Sequence, residues 1–458
     1  MRHSIETLRD RRNCRSPWPC TSILLVAMLV GCGPKQAPSP AGNAAAPSAA
    51  APSAAAPSAA APSDAAPVAP APAVAGGDVD RAKVPLRVVA PDDEELNDGW
   101  IALFDGQTLF GWEPGSAANW SVQDGLISVS EGEPGLLCTT AEFADYQLRL
   151  EFKFESGTNS GVFLHTPLVP TDPEKDCYEL NIAQPEVSPF PTGSFVKRQK
   201  ADGQFAPDEW HALDVELRGG QAVVRIDQQT VLEYADPRPL LRGRIGLQLN
   251  KGKVEFRAIR LKPLELEPLF NGVDLNGWVA APAAPAADIF RVEADQAIRA
   301  RGGKGQLESE RTFGDLVLQI ECKTNAPLLN SGIFFRCIPH ESLNGYESQI
   351  HNGFRKGDRQ SPVDCGTGGI FRRVDARIVV PDDGAWFRKT IVASGPHIAV
   401  WVNGFQVTDW TDTRPPDPNP RKGLRRQPGS IMLQAHDETT DVSFRQLHAR
   451  EMPRRSEP

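Results

Sequence analysis

Residues 145–156 read DYQLRLEFKFES, in which apolar and polar side chains alternate without a break. Apolar side chains at every second position predict a β-strand with one face in a hydrophobic core and the other in solvent. Residues 315–323 (DLVLQIECK) repeat this pattern later in the chain. Turn-forming pairs such as Asn403-Gly404 separate further short runs, and no run has the period of an amphipathic helix. The chain is therefore predicted to be all-β, built as a sandwich or jelly roll.

The chain carries the same series of motifs twice. Four motifs recur in the same order, the first three at offsets of 166 to 171 residues. Solenoid repeats have periods of roughly 20–50 residues, so this spacing indicates a duplicated domain instead. We place the two copies at residues 97–264 and 266–452. The paired motifs are WIALFDGQTLFGW (100–112) with LEPLFNGVDLNGW (266–278), TNSGVFLHTP (158–167) with LNSGIFFRCIP (329–339), YELNI (178–182) with YESQI (346–350), and GLQLNKGKVEFRAIRL (246–261) with SIMLQAHDETTDVSFRQL (430–447).

The first 80 residues contain targeting and spacer sequence. Basic residues precede an apolar run at 21–31, which has the length of a signal-peptide core and falls short of the roughly 20 residues that span a bilayer. Cys32 follows Leu-Val-Gly, as in a bacterial lipobox. This predicts a signal peptide at 1–31, lipidation of Cys32 and an exported protein anchored to the cell envelope. The alternative is an ordinary secretory signal with an incidental cysteine.

Residues 32–80 are dominated by Ala, Pro and Ser. Such a segment has too little apolar surface to offset its ordering entropy, and repeated proline makes it a semi-stiff spacer. It is predicted to be a disordered linker. The net charge of −9 argues against nucleic acid as a partner. A membrane contact is expected only through the lipid anchor.

Five cysteines lie beyond residue 80, so at least one must be unpaired. A disulfide between Cys337 and Cys365 is conceivable, since export permits disulfides. No C-x-x-C pair is present, which argues against a cysteine-based zinc site. No cofactor is predicted with certainty. A divalent cation could bind near Asp364, Asp437 and Glu438, although their spacing matches no known metal motif.

The motif order LFNG-x-DL-x-GW, NSG-x-FFR, YE-x-QI, TGGIF and LQ-x-H resembles the 3-keto-disaccharide hydrolase family. The resemblance covers both copies. It implies a concanavalin A-like jelly roll for each, so the predicted fold is two tandem jelly-roll sandwiches after a disordered linker. It also implies a carbohydrate substrate and cleavage of the glycosidic bond of 3-keto-glycosides or 3-keto-disaccharides.

The chemistry implied by this resemblance depends on the ketone at C3. The ketone acidifies the C2–H bond, so a base can form an enolate and the C1 oxygen can then leave. Water addition completes a net hydrolysis. Such a site needs a general base, a group that stabilises the enolate oxygen, and an acid for the leaving group. It does not need the paired carboxylates of ordinary glycosidases.

Three residues of the second copy are candidate catalytic groups. We expect His436 or Glu347 to act as the base and Arg336 to bind the enolate or a hydroxyl. Gln349 shares a strand face with Glu347, because residues i and i+2 of a strand point the same way, and is expected to bind a hydroxyl. The alternative is a structural Arg336–Glu347 ion pair, with His436 capping a turn.

Further candidates surround these groups or occupy the equivalent positions of the first copy. His351 and Asn352 are expected to line the rim. In the first copy, the predicted substrate-binding residues are His165, Glu179 and Asn181. Since His165 replaces Arg336 and Asn250 replaces His436 there, we expect reduced or absent catalysis, with a different specificity based on His165 as the alternative.

Aromatic side chains and one insertion complete the predictions. Trp112 and Trp278, in the two LF-[DN]-G…GW motifs, are interpreted as core residues, whereas Trp401 and Trp410 are candidate sugar platforms. The insertion at 413–429 (TRPPDPNPRKGLRRQPG) is predicted to be a surface loop that could border a cleft.

The alternative to an enzyme is a non-catalytic carbohydrate-binding protein with tandem lectin-like modules, and a third option is an envelope scaffold.

Overall fold

The computed structural model describes residues 86–280 and 289–454. The predicted signal peptide, Cys32 and the linker lie outside these residues and stay predictions. The regular secondary structure of the described chain is almost entirely β-strand, with two short helices, α1 (Asp93–Asn97) and α2 (Pro173–Asp176). In this part of the chain, neither helix is long and apolar enough to cross a membrane.

The first half of the described chain forms a two-sheet sandwich, here named the first sandwich. Its strands are β1 (Ile101–Ala102), β2 (Trp112–Pro114), β3 (Ser121–Gln123), β4 (Leu126–Val129), β5 (Gly135–Thr139), β6 (Tyr146–Phe154), β7 (Asn159–Thr166), β8 (Tyr178–Ala183), β9 (His211–Arg218), β10 (Gln221–Ile226), β11 (Gln229–Ala235), β12 (Arg244–Leu249) and β13 (Val254–Pro263). One sheet has the order β11-β10-β9-β6-β13-β4-β3, with β1 also paired to β13, and the other has the order β2-β5-β12-β7-β8.

The second half repeats this plan and is named the second sandwich. Its strands are β14 (Glu267–Pro268), β15 (Trp278–Ala280), β16 (Phe290–Val292), β17 (Ile298–Arg301), β18 (Gly305–Phe313), β19 (Leu316–Thr324), β20 (Ser331–Cys337), β21 (Tyr346–Ile350), β22 (Phe354–Arg355), β23 (Asp358–Pro362), β24 (Phe387–Ser394), β25 (His397–Val402), β26 (Phe405–Thr411), β27 (Gly429–Ala435) and β28 (Asp441–Glu451). Its sheets have the orders β16-β17-β28-β19-β24-β25-β26, with β14 on β28, and β15-β18-β27-β20-β21, while β22 and β23 form a small hairpin.

The fold is two tandem jelly-roll sandwiches, as predicted. In β6, the alternate residues from Tyr146 to Phe154 are buried and the residues between them are not. The apolar face of this strand therefore packs into the core between the two sheets of the first sandwich. Cross-strand packing of that face is what stabilises a sheet of this kind.

Strand β19 differs from the prediction, because it is buried on both faces except at Lys323. Its second face packs against the first sandwich. Val317 and Trp401 belong to the same buried cluster as the core of the first sandwich. The indole N–H of Trp401 donates to the carbonyl of Ala102 at 2.8 Å, and the Gln319 amide donates to the carbonyl of Gly99 at 2.8 Å. Trp401 is only 1% exposed, which corrects its assignment as a sugar platform.

The tryptophans of the two GW motifs are buried core residues, as interpreted. The indole N–H of Trp112 donates to the carbonyl of Leu103 at 2.6 Å. The indole N–H of Trp278 donates to the carbonyl of Leu269 at 2.8 Å. In both sandwiches the motif therefore closes a loop onto the core, because the buried indole nitrogen needs a partner.

Candidate functional site

One face of the five-stranded sheet in the second sandwich carries polar side chains that are nevertheless buried. Tyr346 and Ile350 of β21 point into the core. Because side chains alternate along a strand, Glu347 and Gln349 point to the opposite side. Neighbouring strands add side chains of the same kind. We name this surface the polar face, and its members are Gln306, Glu308, Glu347, Gln349 and Gln434.

Glu347 forms an ion pair with a residue of the insertion at 413–429. Its carboxylate is 5% exposed, and its Oε2 accepts a hydrogen bond from Nη2 of Arg421 at 2.8 Å. Burial raises the pKa of Glu347, and the neighbouring guanidinium partly offsets that effect. Arg421 is held in turn by the carbonyl of Leu343, 2.8 Å from its Nε, and by the ring of Phe334, 5.1 Å away. The positive group beside Glu347 is therefore Arg421.

Gly332 leaves a slot in the middle of the polar face, and the side chain of Glu347 lies over it. The strand register puts Gly332 between Gln349 on β21 and Gln434 on β27. A Cβ atom at Gly332 would come within 2.7 Å of Oε1 of Glu347, so any side chain here would displace the carboxylate. The amide of Gln349 donates to Oδ2 of Asp364 at 2.8 Å, which fixes one wall of the slot.

Three amide groups around the slot have buried atoms without a hydrogen-bond partner among the described residues. They are Oε1 of Gln434, Oδ1 of Asn330 and Nε2 of Gln306. An unpaired buried polar atom costs about 1–3 kcal/mol, so each one in a native fold requires an explanation. Two acceptors and one donor at one place suit a ligand rich in hydroxyl groups.

Two histidines influence each other electrostatically, and one of them, His436, also acts on Glu347. Burial lowers the pKa of His351, and the charge of His436 adds to that effect. Nδ1 of His351 accepts the Gly353 N–H at 3.1 Å, so the neutral ring carries its proton on Nε2. Nδ1 of His436 lies 2.8 Å from Oδ2 of Asp437, which as a carboxylate can only accept. The Nε2 of neutral His436 is thus an acceptor, and its side chain is 42% exposed.

Arg336 lies elsewhere, contrary to the expectation that it meets Glu347. It occupies a β-bulge between Phe334 and Cys337 with φ +49°, and a bulge turns a side chain away from its regular direction. Its fully buried guanidinium donates to the carbonyl of Gly314 at 2.8 Å and to Oδ1 of Asp315 at 2.8 Å. The Arg336–Glu347 ion pair of the structural alternative is not formed either.

Asp315 also accepts from a residue of the first sandwich. Its Oδ2 lies 2.7 Å from Nη1 of Arg242, while its Oδ1 accepts from Arg336. The carboxylate therefore joins the two sandwiches. Arg336 supports this junction through Asp315 instead of facing a substrate.

The equivalent residue of the first sandwich, His165, is turned inward in the same way. It has φ +51°, and its two ring nitrogens each lie 2.7 Å from a backbone carbonyl, those of Leu240 and Ala144. Its ring packs edge-on against Tyr146 with centroids 5.4 Å apart. Burial lowers its pKa. His165 is therefore a core residue and does not lie on the face that carries Glu179.

The first sandwich keeps part of the polar face and loses the rest. Oε1 of Glu179 accepts from the amide of Gln248 at 3.2 Å, and burial raises the pKa of Glu179. The amide of Asn181 donates to Oγ of Ser188 at 3.2 Å. At the positions of Gln306 and Glu308, the register places Leu136 and Cys138, which belong to an apolar cluster.

Asn352 and the two cysteines of the suggested disulfide have structural roles. The side chain of Asn352 is saturated, since it donates to Oδ1 of Asp383 at 3.0 Å and accepts from Oγ1 of Thr367 at 2.5 Å. Cys337 and Cys365 are both free thiols, so the suggested disulfide is not formed. Cys337 packs on Phe334 in an apolar cluster instead.

The described residues contain no group of three or more His, Cys, Asp and Glu side chains arranged to hold a metal ion. Asp437, one of the suggested cation ligands, is occupied by hydrogen bonds from Thr439 and His436, which lower its pKa to about 2. Trp410 lines a cavity of about 290 Å³ together with His397, Asp409 and residues of the first sandwich. This cavity shares no lining residue with the polar face.

Sequence reasoning missed Arg421, Asn330 and Gln434 as site residues, and it considered Asp364 only as a cation ligand. Arg421 lies within the insertion whose position beside a cleft was anticipated, but three other arginines of that insertion looked equivalent to it. The signal for Gln434 was the Leu-Gln pair shared by both copies, at 247–248 and 433–434.

The fold defines a tandem jelly-roll protein in which the second sandwich carries the more polar of the two equivalent sheet faces. Residues 99–262 and 265–450 each match the sequence model of the 3-keto-alpha-glucoside-1,2-lyase-like domain. The chain therefore belongs to that family, as its motifs indicated.

Individual relatives are more distant. The chain is similar to a 3-keto-disaccharide hydrolase of Bacteroides thetaiotaomicron, with 26% identity over 231 residues, which cover 37% of this chain and 79% of the relative. Among solved structures, a candidate glycosyl hydrolase of Parabacteroides distasonis has 18% identity and a TM-score of 0.35, covering 38% of this chain and 98% of its own. A carbohydrate-binding module of Bacillus subtilis has 11% identity and a TM-score of 0.27, covering 33% and 95%.

Proposed function

We propose that this protein cleaves the glycosidic bond of 3-keto-glycosides or 3-keto-disaccharides at the polar face of the second sandwich. Membership of the family and the name of the Bacteroides relative support the class of reaction. The observation that carries the proposal is the buried Glu347 carboxylate, which pairs with Arg421 on a face that also carries unpaired amide atoms.

The reaction begins with removal of the C2 proton of the keto-sugar. Oε1 of Glu347, which borders the slot at Gly332, takes this proton while Oε2 stays bound to Arg421. Burial raises the pKa of Glu347, which strengthens the carboxylate as a base. The guanidinium of Arg421 and Nε2–H of His351 are the donors for the developing enolate oxygen.

The second step breaks the bond between C1 and the glycosidic oxygen. The enolate electrons form the C1=C2 double bond, and the leaving oxygen takes a proton from His436. Asp437 holds the His436 ring in place through Nδ1. Water then adds to C1, C2 regains a proton, and the sum of the steps is hydrolysis. We retain His436 as the alternative base, since Nε2 of its neutral ring is an acceptor.

The test is a comparison of equivalent glutamates in the two sandwiches. Glu347→Gln in the full chain is expected to abolish release of monosaccharide from 3-keto-trehalose or 3-keto-lactose, and Glu179→Gln is the matched control that keeps it. Turnover that survives Glu347→Gln overturns the site. Saccharide binding without turnover by the wild-type chain favours the non-catalytic, lectin-like alternative.

We also propose that the reaction takes place at the cell envelope, with the chain anchored through Cys32. The support is the apolar run at 21–31 and the cysteine that follows it. Metabolic labelling with a fatty acid is expected to mark the wild-type protein and not Cys32→Ser. Equal labelling of both proteins would rule out this anchor.

A further inference from the structure

Lys389 of β24 is a fully buried amine directly beneath the strand that carries Glu347. Its side chain crosses the core from the opposing sheet. Nζ donates to the carbonyl oxygen of Ser348 at 3.0 Å and to that of Gln349 at 2.9 Å. These two carbonyls belong to β21, whose side chains form one wall of the polar face.

The first sandwich shows that the fold does not require an amine here. Lys389 is paired with Ile320 of β19. At the equivalent place in the first sandwich, Leu213 is paired with Leu150. A buried ammonium that contacts only backbone carbonyls is costly, since it gives up its hydration shell. An apolar side chain at this position builds the same sandwich without that cost.

Few titratable groups act electrostatically on the ammonium of Lys389. The titratable side chains whose charges act on it are Cys322 of β19 and Glu347 of β21. Burial lowers the pKa of Lys389 to about 8, and the charge of Glu347 opposes that effect. The protonated form of Lys389 favours the ionised form of Glu347 in return.

We propose that Lys389 is a positioning residue for the polar face, which fixes the backbone at Ser348 and Gln349 and places a positive charge beneath Glu347. This role rests on the proposed function, because the strand that Lys389 holds supplies the base. Lys389 acts from inside the core and does not touch the substrate. Its effect reaches the reaction through Glu347 and Gln349.

The test replaces Lys389 by the residue that the first sandwich uses. In the full chain labelled with ¹³C at the glutamate carboxyl carbon, the Glu347 signal is assigned by its loss in Glu347→Gln. Lys389→Leu is expected to move the titration midpoint of Glu347 upward, because the favourable positive charge is gone. The matched control Leu213→Met, at the equivalent place of the first sandwich, should leave that midpoint unchanged.

The same variants are compared in turnover of 3-keto-trehalose. Lys389→Leu is expected to lower kcat by roughly 10- to 100-fold, since small displacements of a catalytic group cost rates of this order, with a smaller change in KM. Thermal unfolding confirms that the variant is folded. Lys389→Met, which keeps the length of the stem, answers the same question if the leucine variant does not fold.

The outcomes separate this inference from the proposed function. An unmoved Glu347 midpoint overturns the role of Lys389, and so does undiminished turnover by Lys389→Leu beside an active wild type. If the wild-type chain shows no turnover, the proposed reaction is refuted. If the titration midpoint of Glu347 nevertheless moves in Lys389→Leu, the effect of Lys389 on Glu347 is supported.

Discussion

Glu347 and Arg421 are joined by a hydrogen bond of 2.8 Å, although one lies in the duplicated part of the chain and the other in an insertion. Glu347 lies on a strand that both sandwiches possess, and its counterpart is Glu179. Arg421 lies on the insertion at 413–429, which the first copy lacks. The insertion thus places a guanidinium in direct contact with Glu347, whereas Glu179 accepts from the amide of Gln248.

Removal of the Arg421 guanidinium should disable the site while leaving the fold intact. Arg421→Ala is expected to lower kcat by roughly 10²–10³, as for the loss of one donor to a developing oxyanion. The pKa of Glu347 should rise in this variant, because burial is then opposed by one charge fewer. Steady-state kinetics on 3-keto-trehalose measures the effect. Lys422→Ala, its exposed neighbour, is the control, and an equal loss in both variants would speak against a specific role.

The raised pKa of Glu347 has opposite consequences for activity and for stability. A base must be ionised, so kcat/KM should fall with decreasing pH through a value above the ordinary carboxyl range. Since the folded-state pKa exceeds the unfolded one, the stabilising contribution of the protonated form is complete at low pH. It is lost as the pH rises through the folded-state value.

Glu347→Gln should therefore remove activity without lowering the free energy of unfolding at pH 7. The neutral amide avoids the burial of a charge, and Arg421, which is partly exposed, can turn to water. Urea denaturation of the variant and the wild type provides the measurement. A loss of more than about 2 kcal/mol, as expected for a broken buried ion pair, would mean that the pair is structural.

Replacement of Arg336 should lower the stability of the protein and leave its activity nearly unchanged. Its buried guanidinium is bound to Asp315 and to backbone carbonyls, so Arg336→Met is expected to cost about 3 kcal/mol of stability. Activity per folded molecule should change little. Arg311→Met, which removes an exposed ion pair with Glu267, is the control and should cost at most about 1 kcal/mol. A stable but inactive Arg336→Met would restore this residue to the site.

Local patterns in the sequence were enough for the fold, since alternation and repeated motifs are carried by neighbouring residues. The strand at Tyr146–Phe154 and the two-fold duplication were predicted for this reason. Burial of the second face of β19 was not, because the layer that covers it comes from the other half of the chain. The same packing encloses Trp401, whose alternation in β25 suggested an outward position.

The candidate site was predictable as far as strand geometry determines it. Glu347 and Gln349 share a face because they are two residues apart on β21. The prediction that Arg336 lies on this face was wrong, because a bulge with positive φ turns its side chain inward. No residue type in this part of the sequence indicates a bulge. Arg421 is 74 residues from Glu347, and only the folded loop brings the two together.

Gln434 provides a test of whether the polar face binds a sugar. Its Oε1 is buried and unpaired among the described residues, so a substrate hydroxyl that donates to it should relieve a cost already present in the free protein. Gln434→Leu is expected to raise KM by roughly 5- to 30-fold, which corresponds to about 1–2 kcal/mol for one hydrogen bond, while kcat changes less.

The stability of Gln434→Leu should not fall, because the substitution removes an unsatisfied acceptor and leaves a side chain of similar size. Gln248→Leu, at the equivalent place in the first sandwich, is the matched control and should leave KM unchanged. Kinetics on 3-keto-trehalose and urea denaturation of both variants decide the matter. An unchanged KM in Gln434→Leu would mean that its amide does not contact the substrate. A raised KM in Gln248→Leu would instead assign substrate binding to the first sandwich.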